Sequence, residues 1–270
     1  MNFFEKFHLL KEKKKSLLCV GIDPEFEQMP PTIRREDDFL FLFCRSIIEA
    51  TAPYAVAFKF NFAFFEVFGA TGWETMARLR RIVPRDCLTI ADAKRGDINH
   101  SSQHYARAIL DNLGFDGVTV NPYLGFDGAE PFLNYTQKGI FFLCHTSNPG
   151  AQDLQYFPAP ENPLYRHVAR KVASWNKAGN CGIVVGGTWP DRLAELRRLV
   201  PDLPFLVPGV GSQGGHLQSV LHATGDTNML IAISRSIIFA GQDADFAEAA
   251  QQAAASFQQE MQKAFGGSGA

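Results

Sequence analysis

Several things are missing from this 270-residue chain, and each absence removes a class of protein. The opening Met1-Asn2-Phe3-Phe4-Glu5-Lys6-Phe7 lacks the apolar core and small-residue cleavage site of a signal peptide. No apolar run reaches the ~18 residues that cross a bilayer, so no membrane partner is expected. Net charge is only −2, which leaves no electrostatic footprint for nucleic acid or an anionic surface. The longest basic excess, Lys11 to Lys15 interrupted by Glu12, reads as a solvated segment ahead of the first strand rather than a targeting signal. The five cysteines (Cys19, Cys44, Cys87, Cys144, Cys181) contain no CxxC pair and are odd in number. Cys19, Cys144 and Cys181 fall in or beside apolar strand candidates, which points to buried thiols in a reducing cytoplasm. Low-complexity segments are absent, and no G-x-G-x-x-G follows the first apolar run. That argues against the runner-up fold, a doubly wound open sheet.

What is present is an ordinary globular composition, 46% hydrophobic and 20% charged. Eight apolar runs of strand length lie at residues 17–23, 55–61, 88–94, 117–121, 139–147, 181–187, 204–210 and 228–235. Most are continuous rather than alternating, as expected of parallel strands covered on both faces. Helical patterns follow at 38–51, 71–83, 98–113, 163–178, 190–200 and 243–264, with Pro163 and Pro190 suited to first helical turns. The β-then-α rhythm predicts an α/β fold, a single-domain (β/α)8 TIM barrel over residues 1–265 with a flexible tail at 266–270. The longest irregular connection, 148–162, is then expected on the catalytic face as a lid or rim.

In such a barrel the active site lies at the C-terminal strand ends, and the polar residues there form a set. They are Asp23, Lys59, Asn61, Asp92, Lys94, Asn121, Thr146, Ser147, Ser234 and Arg235. Their convergence on one mouth suits a polar ligand that makes many hydrogen bonds. The stretch Asp92-Ala93-Lys94-Arg95-Gly96-Asp97-Ile98 is the most informative. Asp92 and Lys94, two apart on a strand, point to one side, and Asp97 follows where the chain turns. A cation between carboxylates is costly to desolvate and poor core material, although a salt bridge closing a loop is the plainer alternative. The turn Pro208-Gly209-Val210-Gly211-Ser212-Gln213-Gly214-Gly215 after the seventh strand, with Arg235 after the eighth, sits where barrels bind phosphate.

Other features read as structure. His100 and His104, four apart on a helix, lack the carboxylate of an H-E-x-x-H zinc site. His145 falls inside the fifth strand, as a core residue or a support for the site. The cluster Phe58, Phe60, Phe62, Phe64 and Phe65 reads as packing of the second strand and its turn.

At these residues the chain resembles the orotidine 5'-phosphate decarboxylase family, in the bacterial form whose third strand reads D-A-K-R-G-D-I. Gly21-Ile22-Asp23-Pro24, Phe58-Lys59-Phe60-Asn61, Thr146-Ser147-Asn148-Pro149-Gly150, the glycine-rich turn at 208–215 and Ser234-Arg235-Ser236-Ile237 are similar to that family's landmarks, in order. The resemblance runs from about residue 16 to the final helix. It implies cofactor-free and metal-free decarboxylation of orotidine 5'-phosphate to uridine 5'-phosphate (UMP) in de novo pyrimidine biosynthesis. Lys94 would protonate C6, Asp92 would sit by the scissile carboxylate, and Lys59 would link Asp92 to the ribose. Asp23 would bind ribose hydroxyls, Ser147 the pyrimidine amide, and Gln213 and Arg235 the phosphate. Asp97, Ile98 and Ser101 would reach into the other subunit's site, making a homodimer with shared active sites. Family members often carry threonine where Ser101 stands.

D-x-K-x-x-D alone is shared with sister enzymes acting on sugar phosphates, such as metal-dependent keto-gulonate phosphate decarboxylase or hexulose phosphate synthase. Those enzymes stabilise an enediolate with Mg2+, need a further acidic ligand, and lack the pyrimidine-reading Thr146-Ser147. A catalytically silent nucleotide-binding barrel would have no need of Lys59, Asp92, Lys94 and Asp97 together.

Overall fold

A computed structural model describes residues 1–159, 161–211 and 215–266. Eight parallel strands close a barrel in chain order: β1 (Leu18–Ile22), β2 (Ala57–Asn61), β3 (Leu88–Arg95), β4 (Gly117–Val120), β5 (Gly139–His145), β6 (Cys181–Val185), β7 (Phe205–Pro208) and β8 (Met229–Ile233). β8 pairs back onto β1 through Leu18↔Ile231 and Cys19↔Ala232, so no sheet edge is left open. The expected strands all form, each within a few residues of the reading. The continuous apolar runs arise because both faces are covered: one faces the barrel interior, the other the helices.

The helices Phe39–Thr51, Gly69–Ile82, Leu164–Trp175, Pro190–Leu199 and Phe246–Gly266 correspond to expected patterns. In Phe39–Thr51, Leu40, Phe43, Cys44, Ile47 and Ile48 form the buried stripe that the 3.6-residue period requires. The pattern at 98–113 divides into an α-helix, Asn99–Ala106, and a π-helical turn, Arg107–Asn112. The short helices Phe126–Leu133 and Leu217–Thr224 complete the fourth and seventh units but were not legible. Each has only eight residues, and the first contains Pro131. Residues 267–270 of the expected tail lie outside the described residues, and Gly266 ends the last helix.

The N-terminal segment corrects one expectation. Of residues 11–15, Glu12, Lys13 and Lys15 are exposed as expected, whereas the Lys11 and Lys14 side chains are covered. The segment ends the helix Phe3–Lys14, which closes the barrel at the N-terminal strand ends. Asn2 and Glu5 form a reciprocal capping box, Phe3, Phe4 and Phe7 are buried, and Phe3 and Phe4 pack edge-on against Phe141 of β5. Phe3 lies so close to Gly139 that a β-carbon there would fall 2.6 Å from its ring. Lys11 Nζ donates to the Thr227 carbonyl and hydroxyl at 3.2 and 3.0 Å. Lys14 Nζ donates to the carbonyls of Ala52 and Ala55 at 2.9 and 2.8 Å and contacts Cys87 Sγ at 3.2 Å. Their charge suggested solvent, but their ammoniums hydrogen-bond carbonyls at a helix end and ahead of two strands.

Cys19, Cys144 and Cys181 are buried and free, as expected, Cys44 and Cys87 likewise, and burial pushes the Cys19 thiol up to about 12. Among the described residues no helix is long and apolar enough to cross a membrane.

Candidate active site

The C-terminal strand ends surround a cavity of about 410 Å3 whose lining includes Asp23, Lys59, Asp92, Lys94, Ser147 and Arg235. These residues lie far apart in the sequence. Parallel strands in near-register bring them together, Lys59 from β2 lying beside Asp92 from β3 because Asn61 pairs with Asp92.

The charged centre is joined through Asp92. Asp92 Oδ2 accepts from Lys59 Nζ at 2.8 Å, and Oδ1 accepts from Lys94 Nζ at 2.6 Å. Lys59 also lies 3.8 Å from Asp23 Oδ1. Burial alone would raise the Asp92 carboxyl, but the Lys59 and Lys94 ammoniums and their hydrogen bonds outweigh it and hold the group well below the usual carboxylate range. Burial likewise opposes charge on Lys59, and Asp23 and Asp92 more than reverse this, lifting it above the ordinary lysine range. The two lysines differ in access: the Lys59 side chain is 7% exposed and that of Lys94 is 49% exposed, so Lys94 is the cation a ligand can reach. Lys94 adopts a left-handed backbone (φ 48°), a conformation disfavoured for a residue with a β-carbon.

At one end of the cavity the chain turns through Gly209 and Gly211, both at φ 88°. A β-carbon on Gly211 would be strained and would fall 2.7 Å from Ser236 Oγ. The Gly211 N–H donates to the Gly215 carbonyl at 2.9 Å, and Arg235 follows β8 beside this turn. Gln213 lies outside the described residues. Elsewhere on the rim, Gln155 grips Thr146 twice: it accepts from the Thr146 N–H at 2.9 Å and donates to its hydroxyl at 2.7 Å. The 148–162 connection thus supports Thr146-Ser147 directly. Its helix is Ala151–Leu154, and Pro160 lies outside the described residues.

Asp97, Ile98 and Ser101 do not line their own chain's cavity. Asp97 caps its own turn by accepting from the Ile98 N–H at 2.7 Å, and Ile98 is 64% exposed. Asn121 corrects the expectation that all the strand-end polar groups converge. Its side chain accepts from the Tyr123 N–H at 3.0 Å and holds the turn Pro122–Leu124 outside this cavity. His100 and His104 lie ring against ring on an exposed helix, with His104 Nδ1 on the His100 carbonyl. His145 is buried among Tyr156, Tyr165 and Trp189, with Nε2 3.1 Å from the Tyr156 hydroxyl. Phe58, Phe60, Phe62 and Phe65 are core, as expected, while Phe64 is half-buried. Sequence reading missed Thr119, Leu143 and Val184, which also line the cavity. Thr119 alone left a signal, as the one polar residue in Gly117–Val120.

A closed barrel with carboxylate-held lysines at its C-terminal mouth has the architecture of a (β/α)8 enzyme. A family model described as orotidine 5'-phosphate decarboxylase / HUMPS family matches residues 16–252. The chain is 46% identical over 261 residues to the orotidine 5'-phosphate decarboxylase of Dehalococcoides mccartyi, covering 94% of this chain and 95% of that protein. It is 44% identical over 259 residues to that of Roseiflexus castenholzii, covering 94% and 95%. The structure of Leishmania donovani OMP decarboxylase superposes with a TM-score of 0.83 at 37% identity, over 97% of this chain and all of that one. The chain belongs to the orotidine 5'-phosphate decarboxylase / HUMPS family.

Proposed function

We infer that this protein decarboxylates orotidine 5'-phosphate to UMP in pyrimidine biosynthesis, with Lys94 delivering the proton to C6. It is a carboxy-lyase. The observation that carries the assignment of roles is the Lys59–Asp92–Lys94 array, one buried carboxylate joining a buried ammonium to an accessible one at the cavity. Loss of carbon dioxide from C6 leaves an sp2 carbanion with no conjugated carbonyl to accept its charge. Fixed positive charge must therefore stand where the negative charge develops. Lys94 supplies that charge and then the proton. Asp92 aims Lys94 and lies beside the leaving carboxylate, and Lys59 keeps Asp92 ionised.

The remaining groups grip the substrate. Asp23 Oδ1 is buried without a hydrogen-bond partner among the described residues, which suits a ribose hydroxyl. Ser147 reads the pyrimidine amide. Arg235 and the glycine turn take the phosphate, with Gln213 assigned by resemblance, and binding energy gained there serves orientation at the ring. The active unit is a homodimer, with Asp97, Ile98 and Ser101 completing the second copy's site. Exposed Ile98 and Tyr123, with Leu124 near the Asp97 turn, offer an apolar face for that contact. The buried thiols suit the reducing cytoplasm.

The test is the loss of orotidine 5'-phosphate absorbance in the presence of excess EDTA. Steady turnover is expected. Activity that vanishes in EDTA and returns with Mg2+ would move the chain to the metal-dependent sugar-phosphate branch.

A further inference from the structure

β3 and β4 do not pair evenly. Ala91 faces Val118 and Arg95 faces Val120, so Asp92, Ala93 and Lys94 on one strand stand opposite Thr119 alone on the other. The bulge breaks the ladder where the reacting lysine sits and puts Lys94 at φ 48°. The lost contacts are replaced by one side chain. The Lys94 N–H donates to Thr119 Oγ1 at 2.9 Å, and Thr119 Oγ1 donates to Asp92 Oδ1 at 3.0 Å. The polarity is forced, because an amide can only donate, an ionised carboxylate only accept, and a hydroxyl does both. Asp92 Oδ1 is also the oxygen that holds Lys94 Nζ. Thr119 is buried, 1% exposed, and lines the catalytic cavity.

We propose that Thr119 is the positioning residue of the reaction: its hydroxyl holds the Lys94 backbone in its left-handed bulge and orients the Asp92 oxygen that aims the Lys94 ammonium. This inference rests on the decarboxylase reading. Lys94 is fixed at both ends of its length, by its amide and by its ammonium, with Thr119 common to both. Such control matters because a displacement of about 1 Å at a reacting group can cost roughly a hundredfold in rate.

The experiment compares Thr119→Val, which keeps the branched shape and removes both hydrogen bonds, with Thr119→Ser, which keeps both. Thr119→Val is expected to lower kcat for orotidine 5'-phosphate by roughly 10- to 100-fold. KM and the Kd for UMP should stay within about twofold, since groups elsewhere in the cavity hold the nucleotide. Thr119→Ser should retain kcat within about threefold. If Thr119→Val fails to fold, Thr119→Ala serves in its place. Undiminished kcat in the hydroxyl-free variant, equal losses in valine and serine variants, or a loss confined to KM and UMP affinity would each overturn the proposal. An inactive parent enzyme would instead overturn the decarboxylase reading. The crystal structure of Thr119→Val then decides the remaining claim: Lys94 should leave the left-handed region, and its retention there would sink the role of Thr119.

Discussion

Two lysine side chains at opposite ends of this barrel are almost fully covered, and their surroundings differ. Lys59, at the C-terminal mouth, lies between two carboxylates, Asp92 at 2.8 Å and Asp23 at 3.8 Å, facing a cavity. Lys14, at the N-terminal end, has the carbonyls of Ala52 and Ala55 and the Cys87 sulfur at its ammonium, with the half-exposed Asp86 carboxylate farther off at 3.7 Å. Both side chains are 7% exposed. The Lys14 site satisfies backbone groups and closes the fold. The Lys59 site concentrates full charges beside empty space, an arrangement that packing does not need and chemistry does. Burial of a charge does not by itself mark function. The partners and the neighbouring cavity do.

The sharpest division between the two ends comes from Lys94. Lys94→Ala should lower turnover by roughly four to six powers of ten, the scale seen when a group acting only in the transition state is lost. The folded state and UMP binding should survive. Mixed with an inactive Asp97→Ala chain, it should recover part of the activity, because the proposed shared-site dimer would leave one site in each mixed pair intact. Near-normal turnover by folded Lys94→Ala, or no recovery despite demonstrated subunit exchange, would break the account of the mouth.

Arg235→Ala tests the proposed phosphate end of the same cavity. Losing a charge-assisted grip on an anion costs on the order of 2–5 kcal/mol, so kcat/KM should fall by roughly two to three powers of ten. Turnover of orotidine lacking its phosphate should barely change. An equal loss on both substrates would assign Arg235 to structure instead.

Acid provides a third test. His145, behind the Thr146-Ser147 rim, is pushed down to about 4 by burial and by Arg192, with Glu195 opposing. A depressed folded value means the unfolded chain binds the proton first. Its contribution is therefore complete above pH ~6.5 and is lost as pH falls toward 4, amounting to at most ~3 kcal/mol. The Asp92 contribution, from a carboxyl depressed below its unfolded value, starts to be lost as pH falls into the ordinary carboxylate range and continues below it, equally in parent and variant. Urea unfolding at pH 7 and pH 4.5 should show a smaller stability difference in His145→Phe than in the parent. An unchanged difference would mean that His145 is not the group responsible.

The smallest effect is expected at the closed end. Lys14→Met leaves two carbonyls with only the weak Cys87 thiol as donor and should cost ~1–3 kcal/mol of unfolding free energy. Its kcat and KM should match the parent's. A catalytic defect in Lys14→Met at full folding would erase the contrast between the two lysines.

The strands were legible because parallel strands buried on both faces must be written as continuous apolar runs, and 181–187 or 228–235 can hardly be read otherwise. Most of the charged centre was legible too, since Asp92 and Lys94 are neighbours on one strand. Reading charge as exposure at 11–15 held for Glu12, Lys13 and Lys15 and failed for Lys11 and Lys14, whose ammoniums reach carbonyls of distant segments. Asn121 was placed in the mouth because a strand end can point inward or cap a turn, and only the path of the following backbone decides.

The sequence by itself determined the barrel, its mouth, and the residue types gathered there, because periodicity and strand order are written locally. Only the tertiary structure decided which of those side chains meet. The pairing of Lys59 with Asp92 depends on the β2–β3 register, and the hold of Thr119 on Lys94 depends on a bulge between two strands. Neither can be read locally, because each is a relation between segments that the chain brings together only on folding.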